Sequence, residues 1–149
     1  LVVPEHSCPG LHGAVQDLEN ATSALADVAG ILVEFLVQPQ SVTNGKNLFG
    51  QVTGKTDYAI GLMTAAYSNA SDEKKIQAVI ADIVQAQKNL LRKGGYRVDF
   101  VYTNYADGSQ GVYQSWGAKN VAKLRAASKK YDPEGVFQKR VPGGFKVFL

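Results

Sequence analysis

Cysteine, methionine and tryptophan occur once each in this 149-residue chain, and histidine only twice. With Cys8 alone no disulfide closes within the chain, so the fold must stand on packing; Cys8 is a free thiol or pairs with another chain. No stretch is long and apolar enough to span a bilayer, which takes about 20 residues, and no membrane contact is expected. The opening Leu1-Val2-Val3-Pro4-Glu5-His6 lacks the charged start and apolar centre of a signal peptide, and no initiator Met precedes it, so the chain reads as processed or as a fragment. Zinc-finger spacing, a glycine-rich KH loop and paired ribonucleoprotein aromatics are all missing, which removes the usual grounds for a nucleic acid partner. His6, Cys8 and His12 lie close together. A closed zinc site needs a fourth ligand, however, and a cysteine nucleophile needs firmer support than their glycine- and proline-rich surroundings offer, so no metal is expected.

What is present fits one globular domain: 45% hydrophobic and 19% charged residues are ordinary proportions, and the length suffices for a core. The net charge of +3 is unevenly spread. Lys119, Lys123, Arg125, Lys129, Lys130, Lys139, Arg140 and Lys146 face only Asp132 and Glu134 in the carboxy-terminal stretch. That excess favours an acidic surface or polyanion on encounter, although basic residues along the outer face of a helix give the same count. Asn20-Ala21-Thr22 and Asn69-Ala70-Ser71 would carry glycans in a secreted protein, and secretion is expected.

After an irregular segment over 1–14, Val15, Leu18, Thr22, Leu25 and Val28 fall at helical spacing, and Gly30 closes a helix over 15–29. Ile31 to Val37 predicts a strand ending at Pro39. Its apolar residues lie on both sides, so the strand is expected to be central, with Glu34 as the exception within it. Residues 40–56 carry turn chemistry, with Leu48-Phe49 as the apolar anchor. Tyr58 to Tyr67 is a second strand. Ser71 is expected to cap a helix through Ile76, Val79, Ile80, Ile83, Val84, Gln87, Leu90 and Leu91 that stops at Gly94-Gly95. Arg97 to Tyr105 alternates as a third strand, with Val98, Phe100, Tyr102 and Asn104 on one face and Asp99, Val101, Thr103 and Tyr105 on the other. A helix over 117–131, with Val121, Leu124 and Ala127 inward, ends at Asp132-Pro133-Glu134-Gly135. This order predicts one α+β domain over 15–149, with helices packed on one face of a small mixed or antiparallel sheet.

Tyr102 and Asn104 are the leading candidates for a site. Two polar groups on one strand face can position an electron-accepting ring and a substrate hydroxyl together; a phenol acts as a general base only if its pKa, about 10 when unperturbed, is lowered or its charge is passed on. A tyrosine bonded into a sheet edge leaves the same pattern. Glu34, if buried in a central strand, would gain proton affinity by desolvation and suit a proton acceptor beside the phenol; at an edge it is a solvated residue. Gly45-Lys46-Asn47-Leu48-Phe49-Gly50 lacks the Gly-Lys-Ser/Thr closure of a phosphate loop, and Gly143-Gly144 lies too near the end of the chain to open a helix.

The stretch Val101-Tyr102-Thr103-Asn104-Tyr105-Ala106-Asp107, then Tyr113-Gln114-Ser115-Trp116-Gly117, Asn120 to Arg125, Lys129 to Lys139 and Val141-Pro142-Gly143-Gly144-Phe145-Lys146, resembles the carboxy-terminal end of fungal FAD-linked oxidoreductases of the berberine bridge enzyme-like type. Phe35 to Pro39 and, less closely, Gly45 to Gly50 look like the same family's substrate-domain strand and following loop. The resemblance covers residues 15–148 and only about the last third of a complete member. It implies a two-part enzyme: an amino-terminal FAD-binding region, often attached to the cofactor through His and Cys, and a substrate domain whose sheet roofs the isoalloxazine. The family's Tyr-x-Asn motif falls on Tyr102, as base or substrate-orienting phenol, and on Asn104, as a cofactor contact. Glu34 is a looser match to an acidic partner. The anchoring His and Cys would belong to the missing region, so FAD is expected only in a complete assembly with an amino-terminal FAD-binding chain or a second copy, and not on this chain alone. Gly45-Lys46-Asn47-Leu48 departs from the family's Gly-Asn-Pro-Leu run.

The resemblance thus implies the carboxy-terminal portion of an FAD-dependent oxidoreductase acting by hydride transfer on a small molecule with a hydroxyl group, such as a sugar or secondary metabolite. The alternative is a non-enzymatic carbohydrate- or protein-binding domain without the flavin half.

Overall fold

The computed structural model describes residues 8–40, 49, 58–96 and 99–148. The chain divides into two compact units, one of residues 1–41 and 57–98, the other of 42–56 and 99–149. Helices and a two-stranded antiparallel sheet together make the chain a small α+β protein.

In the first unit, helix α1 spans Cys8–Ala24. It begins inside the segment expected to be irregular, because Pro9 sits in the first turn, where its missing N–H is not needed. Gly13 also belongs to the helix; a Cβ there would lie 2.5 Å from Leu90 Cδ2, so glycine allows close approach at that point. The helix stops at Ala24 and not at Ala29. Thr22 Oγ1 and Ser23 Oγ donate back to the carbonyls of Leu18 and Glu19, and the N–H groups of Leu25, Ala26 and Val28 bond three residues back, tightening the chain into turns. Leu25 and Val28 are therefore core residues of a turn, where they meet Ile76.

Strand β1, Leu32–Gln40, pairs antiparallel with β2, Tyr58–Ala66, in a register that sets Val33 opposite Ala65 and Glu34 opposite Thr64. A 3-10 turn over Ala70–Asp72 leads into α2, Glu73–Lys93. Ser71 is not the N-cap: that position is Asp72, which makes no side-chain capping bond. The other end is as expected, with Arg92 and Lys93 in the last turn and the N–H groups of Gly94, Gly95 and Tyr96 closing onto Leu90, Arg92 and Leu91. Ile76, Ile83, Gln87 and Leu91 form the buried stripe of α2. Val33, Ala65, Val79 and Ile80 pack around the Leu25, Val28 and Ile76 cluster, so α2 covers the Val33 face of the sheet.

Among the described residues β1 pairs with β2 alone, where a central strand was expected. Its second face is open: Leu32 is 56% and Leu36 48% exposed, and Glu34 lies between them, exposed as well. Apolar residues on both sides of a strand did not, in this chain, mean that both sides are covered.

The second unit is helical in its described part. A 3-10 turn over Thr103–Tyr105 is followed by α3, Val112–Trp116, α4, Ala118–Tyr131, and α5, Val136–Lys139. The expected third strand is absent over 99–105, while residues 97 and 98 lie outside the described ones. Val112, Trp116 and Val147 are its buried apolar residues. On α4, Val121 and Leu124 are half-buried, but Ala127 is exposed. Asp132 stops α4 and its carboxylate then accepts the N–H groups of Val136 (2.7 Å) and Phe137 (3.0 Å), capping α5. The tail crosses back and is pinned there: Tyr113 Oη donates to the Phe145 carbonyl (3.1 Å) and Arg125 Nε to that of Val147 (2.9 Å).

Candidate functional site

The candidate site is built from the second unit, beginning at the backbone of Val101. A strand would present the N–H and C=O of Val101 to a neighbouring strand. Here α3 takes both: Ser115 Oγ accepts the Val101 N–H at 3.0 Å, and Trp116 Nε1 donates to the Val101 carbonyl at 3.2 Å. Ser115 is itself held by donating to the Val112 carbonyl (2.6 Å), and Trp116 is only 7% exposed, with Phe49 and Tyr113 each edge-on to its ring. With its ladder groups taken, and with Asn104, Asp107 and Gly108 favouring turns, the chain coils at Thr103–Tyr105 instead of extending.

That change of backbone rearranges the side chains. In a strand Tyr102 and Tyr105 would point to opposite faces; in a 3-10 turn residues three apart eclipse, and the two rings meet edge to face with centroids 5.0 Å apart. Tyr102 and Asn104 are brought together as expected, though not by alternation: Asn104 Nδ2 reaches back and donates to Tyr102 Oη at 3.1 Å. Tyr102 is half-buried and Asn104 exposed, so the pair stands at a surface and not in a dry core. Between them Thr103 Oγ1 is buried with no hydrogen-bond partner among the described residues. Such an atom is costly unless something binds it.

The turn is braced on its far side by Asp107. Its carboxylate accepts from the Ser109 hydroxyl (2.6 Å) and N–H (2.9 Å), and these bonds, with a smaller one from Gly108, hold the carboxyl below the usual aspartate range against slight desolvation. Burial pushes the Tyr113 phenol the other way, upward.

Glu34 belongs to the first unit and lacks the environment expected of it. It is exposed on the open face of β1 and accepts a hydrogen bond from its cross-strand partner, the Thr64 hydroxyl, at 3.3 Å. No further strand or helix covers that face among the described residues. His6 and most of the 40–56 loop lie outside the described residues, and among those described no group of His, Cys, Asp and Glu could hold a metal ion. No helix of the described residues is long and apolar enough to cross a membrane. Tyr105, Ser115, Trp116 and Thr103 were not singled out from sequence; the three-residue spacing of Tyr102 and Tyr105 was the available signal, hidden by the strand assignment.

Residues 101–141 match the family model "Berberine and berberine like". Through this segment the chain is similar to the berberine bridge enzyme-like family. The berberine-like segment contains Val101, Tyr102, Thr103, Asn104, Tyr105, Asp107, Ser115 and Trp116, which is the whole arrangement just described apart from Phe49. The chain is 32% identical over 145 residues to the FAD-dependent monooxygenase drtC of Aspergillus calidoustus, an overlap of 91% of this chain and 28% of that protein. It is similar to the FAD-dependent monooxygenase sdcF of Emericella nidulans, 31% identical over 102 residues, covering 66% of this chain and 21% of the relative. A third relative, the bifunctional solanapyrone synthase of Alternaria solani, is 34% identical over 86 residues, 58% of this chain and 17% of that protein. All three come from fungi. The chain therefore spans less than a third of the length of these relatives. No solved structure matches it.

Proposed function

We propose that this chain is the substrate-side, carboxy-terminal part of an FAD-dependent oxidoreductase that oxidises a hydroxyl-bearing small molecule, such as a sugar or a secondary metabolite. The observation that carries this reading is the contact of Asn104 Nδ2 with Tyr102 Oη inside the berberine-like segment. FAD, when bound to the complete assembly, supplies the hydride acceptor, and the protein supplies orientation and charge. The residues present fit a polar ring edge. Thr103 Oγ1 is buried without a partner among the described residues, and Asn104 keeps its carbonyl side and second N–H for another group. These two would contact the cofactor, whose main hold comes from an amino-terminal FAD-binding region.

Tyr102 is the residue to which we assign the substrate hydroxyl. Its oxygen already receives an N–H from Asn104, the polarity needed where negative charge develops as a proton is relayed. Its ring is fixed on one side by Tyr105, and its backbone is fixed through Val101 by Ser115 and Trp116. A preset phenol spends little orientational freedom when a substrate arrives. No role is assigned to Glu34, which is exposed on β1.

The test is turnover by the full-length polypeptide that contains this chain, reconstituted with FAD. Tyr102→Phe should lower kcat by about 10²- to 10⁴-fold, the range for one acid–base group, with flavin content unchanged. Failure of every complex containing the chain to retain flavin would sink the assignment. A ligand bound without flavin and lost in Tyr102→Phe would support the binding-domain alternative instead.

A further inference from the structure

A cavity of about 620 Å³ lies between α3, α4 and the carboxy-terminal tail, a volume typical of small-molecule sites. It is an open groove lined by Ala118, Ala122, Arg125 and Lys129 along α4 and by Tyr113 and Val147. Its wall is already in place: the tail is held by the bonds of Tyr113 to Phe145 and of Arg125 to Val147, and by the Val147 N–H donated to Gln138 Oε1 at 2.9 Å. Little ordering is left for a ligand to bring about. Tyr102 and Asn104 do not line it, so this site is independent of the flavin assignment.

The cationic end is the informative part. Arg125 and Lys129 are one helical turn apart on α4 and hence neighbours of like charge, an arrangement that repels. Asp27 and Lys75 form an ion pair in the first unit, and neither cation of the cavity has such a partner among the described residues. Asp132 lines the adjoining depression with Lys129, but both its oxygens are engaged by the N–H groups that start α5. The second unit as a whole has ten basic and four acidic residues, whereas the first has six and nine. Of the Arg125 donors only Nε is bonded among the described residues, and the guanidinium lies 6.0 Å from the centre of the Phe148 ring. Its outer nitrogens remain a planar fork of the kind that matches a carboxylate.

We propose that this cavity binds an organic carboxylate with a ring-sized apolar body, the anion between Arg125 and Lys129 and the ring over Ala118 and Ala122. A polyanion fits less well, because its further charges would lie against alanine and valine without partners.

The experiment is calorimetric titration of the full-length polypeptide that contains this chain with 2-naphthoate and with the neutral 2-naphthamide. Naphthoate should bind saturably at one site, and the amide about tenfold more weakly or worse, the usual cost of one charge-assisted contact. Arg125→Gln also breaks the tail contact, so the informative variant is Lys129→Gln, in which naphthoate should weaken by about tenfold. Ala122→Leu fills the groove and should abolish binding while the circular dichroism spectrum is unchanged. Equal affinity for acid and amide, wild-type affinity in Ala122→Leu, or no saturable binding of naphthoate would each overturn the proposal.

Discussion

Val101 shows how a residue with an ordinary side chain can decide a site through its backbone. Both of its peptide groups are bonded by side chains of α3, and the next residue is Tyr102. Trp116→Phe retains most of the ring packing against Phe49 and Tyr113 but removes the N–H from the Val101 carbonyl. Leaving a half-buried carbonyl unpaired should cost roughly 1–2 kcal/mol in urea unfolding. Ser115→Ala, in contrast, should speed hydrogen exchange of the Val101 amide, an effect not expected of Trp116→Phe; unchanged stability in the first and unchanged exchange in the second would show that no clamp exists. At this scale the sequence was partly legible. Tyr102 and Asn104 could be named in advance because they are chemically able, while Ser115 and Trp116 could not, because a hydrogen bond to a backbone some fifteen residues earlier leaves no trace in periodicity. Glu34 was chosen on a burial that its strand does not provide.

Elements were legible where local signals agree with each other. α2 combines an early acid, a buried stripe at helical spacing, terminal basic residues and two glycines, and it forms close to where these place it. The 99–105 segment carries two signals in conflict, alternation for a strand and turn-forming residues at its end, and the tertiary bonds of Val101 settle the conflict in favour of the turn. Gly30 was expected to stop a helix and instead turns the chain into β1. It has φ +68°, and a Cβ on it would fall 2.3 Å from Ser68 Oγ, beside the bond from the Ser68 N–H to the Ala29 carbonyl. Gly30→Ala should therefore destabilise the first unit by at least 1–2 kcal/mol, roughly the cost of a left-handed conformation with a side chain, as measured by thermal unfolding. A melting temperature equal to that of the wild type would mean that the turn relaxes without cost.

For the whole molecule, charge is the property that composition reveals and position refines. Asp27 is held below the ordinary carboxylate range by hydrogen bonding and attraction from Lys75, and Asp107 by its Ser109 bonds. A carboxyl depressed in the folded state stabilises above its unfolded pKa of about 4 and loses that contribution as the pH falls through its folded value. Stability should be flat from neutral pH down to about 5 and fall below about 4, where protonation of 13 carboxylates also leaves a strongly positive chain. Asp107→Asn should lower the melting temperature at neutral pH and flatten the acid limb, which thermal melts across pH would show; an acid limb of unchanged slope would contradict this. Tyr113 has the opposite sign: its half-buried neutral phenol stabilises below its unfolded pKa of about 10, and that support is lost as the pH rises through the raised folded value.

Composition and local pattern by themselves determined the α+β class, the span of α2 and both strands of the hairpin, while a resemblance of motifs pointed to the family likeness of residues 101–141 and, with side-chain chemistry, to Tyr102 and Asn104 as candidates. These depend on interactions within a few residues of each other or on residue type alone, and such interactions are written in order along the chain. Only the tertiary structure decided that β1 keeps one face open, that Glu34 is solvated, that Tyr102 and Tyr105 share a side, and that alanines, a tail and two cations line one groove. Each of these depends on which distant group takes up a backbone bond or covers a face.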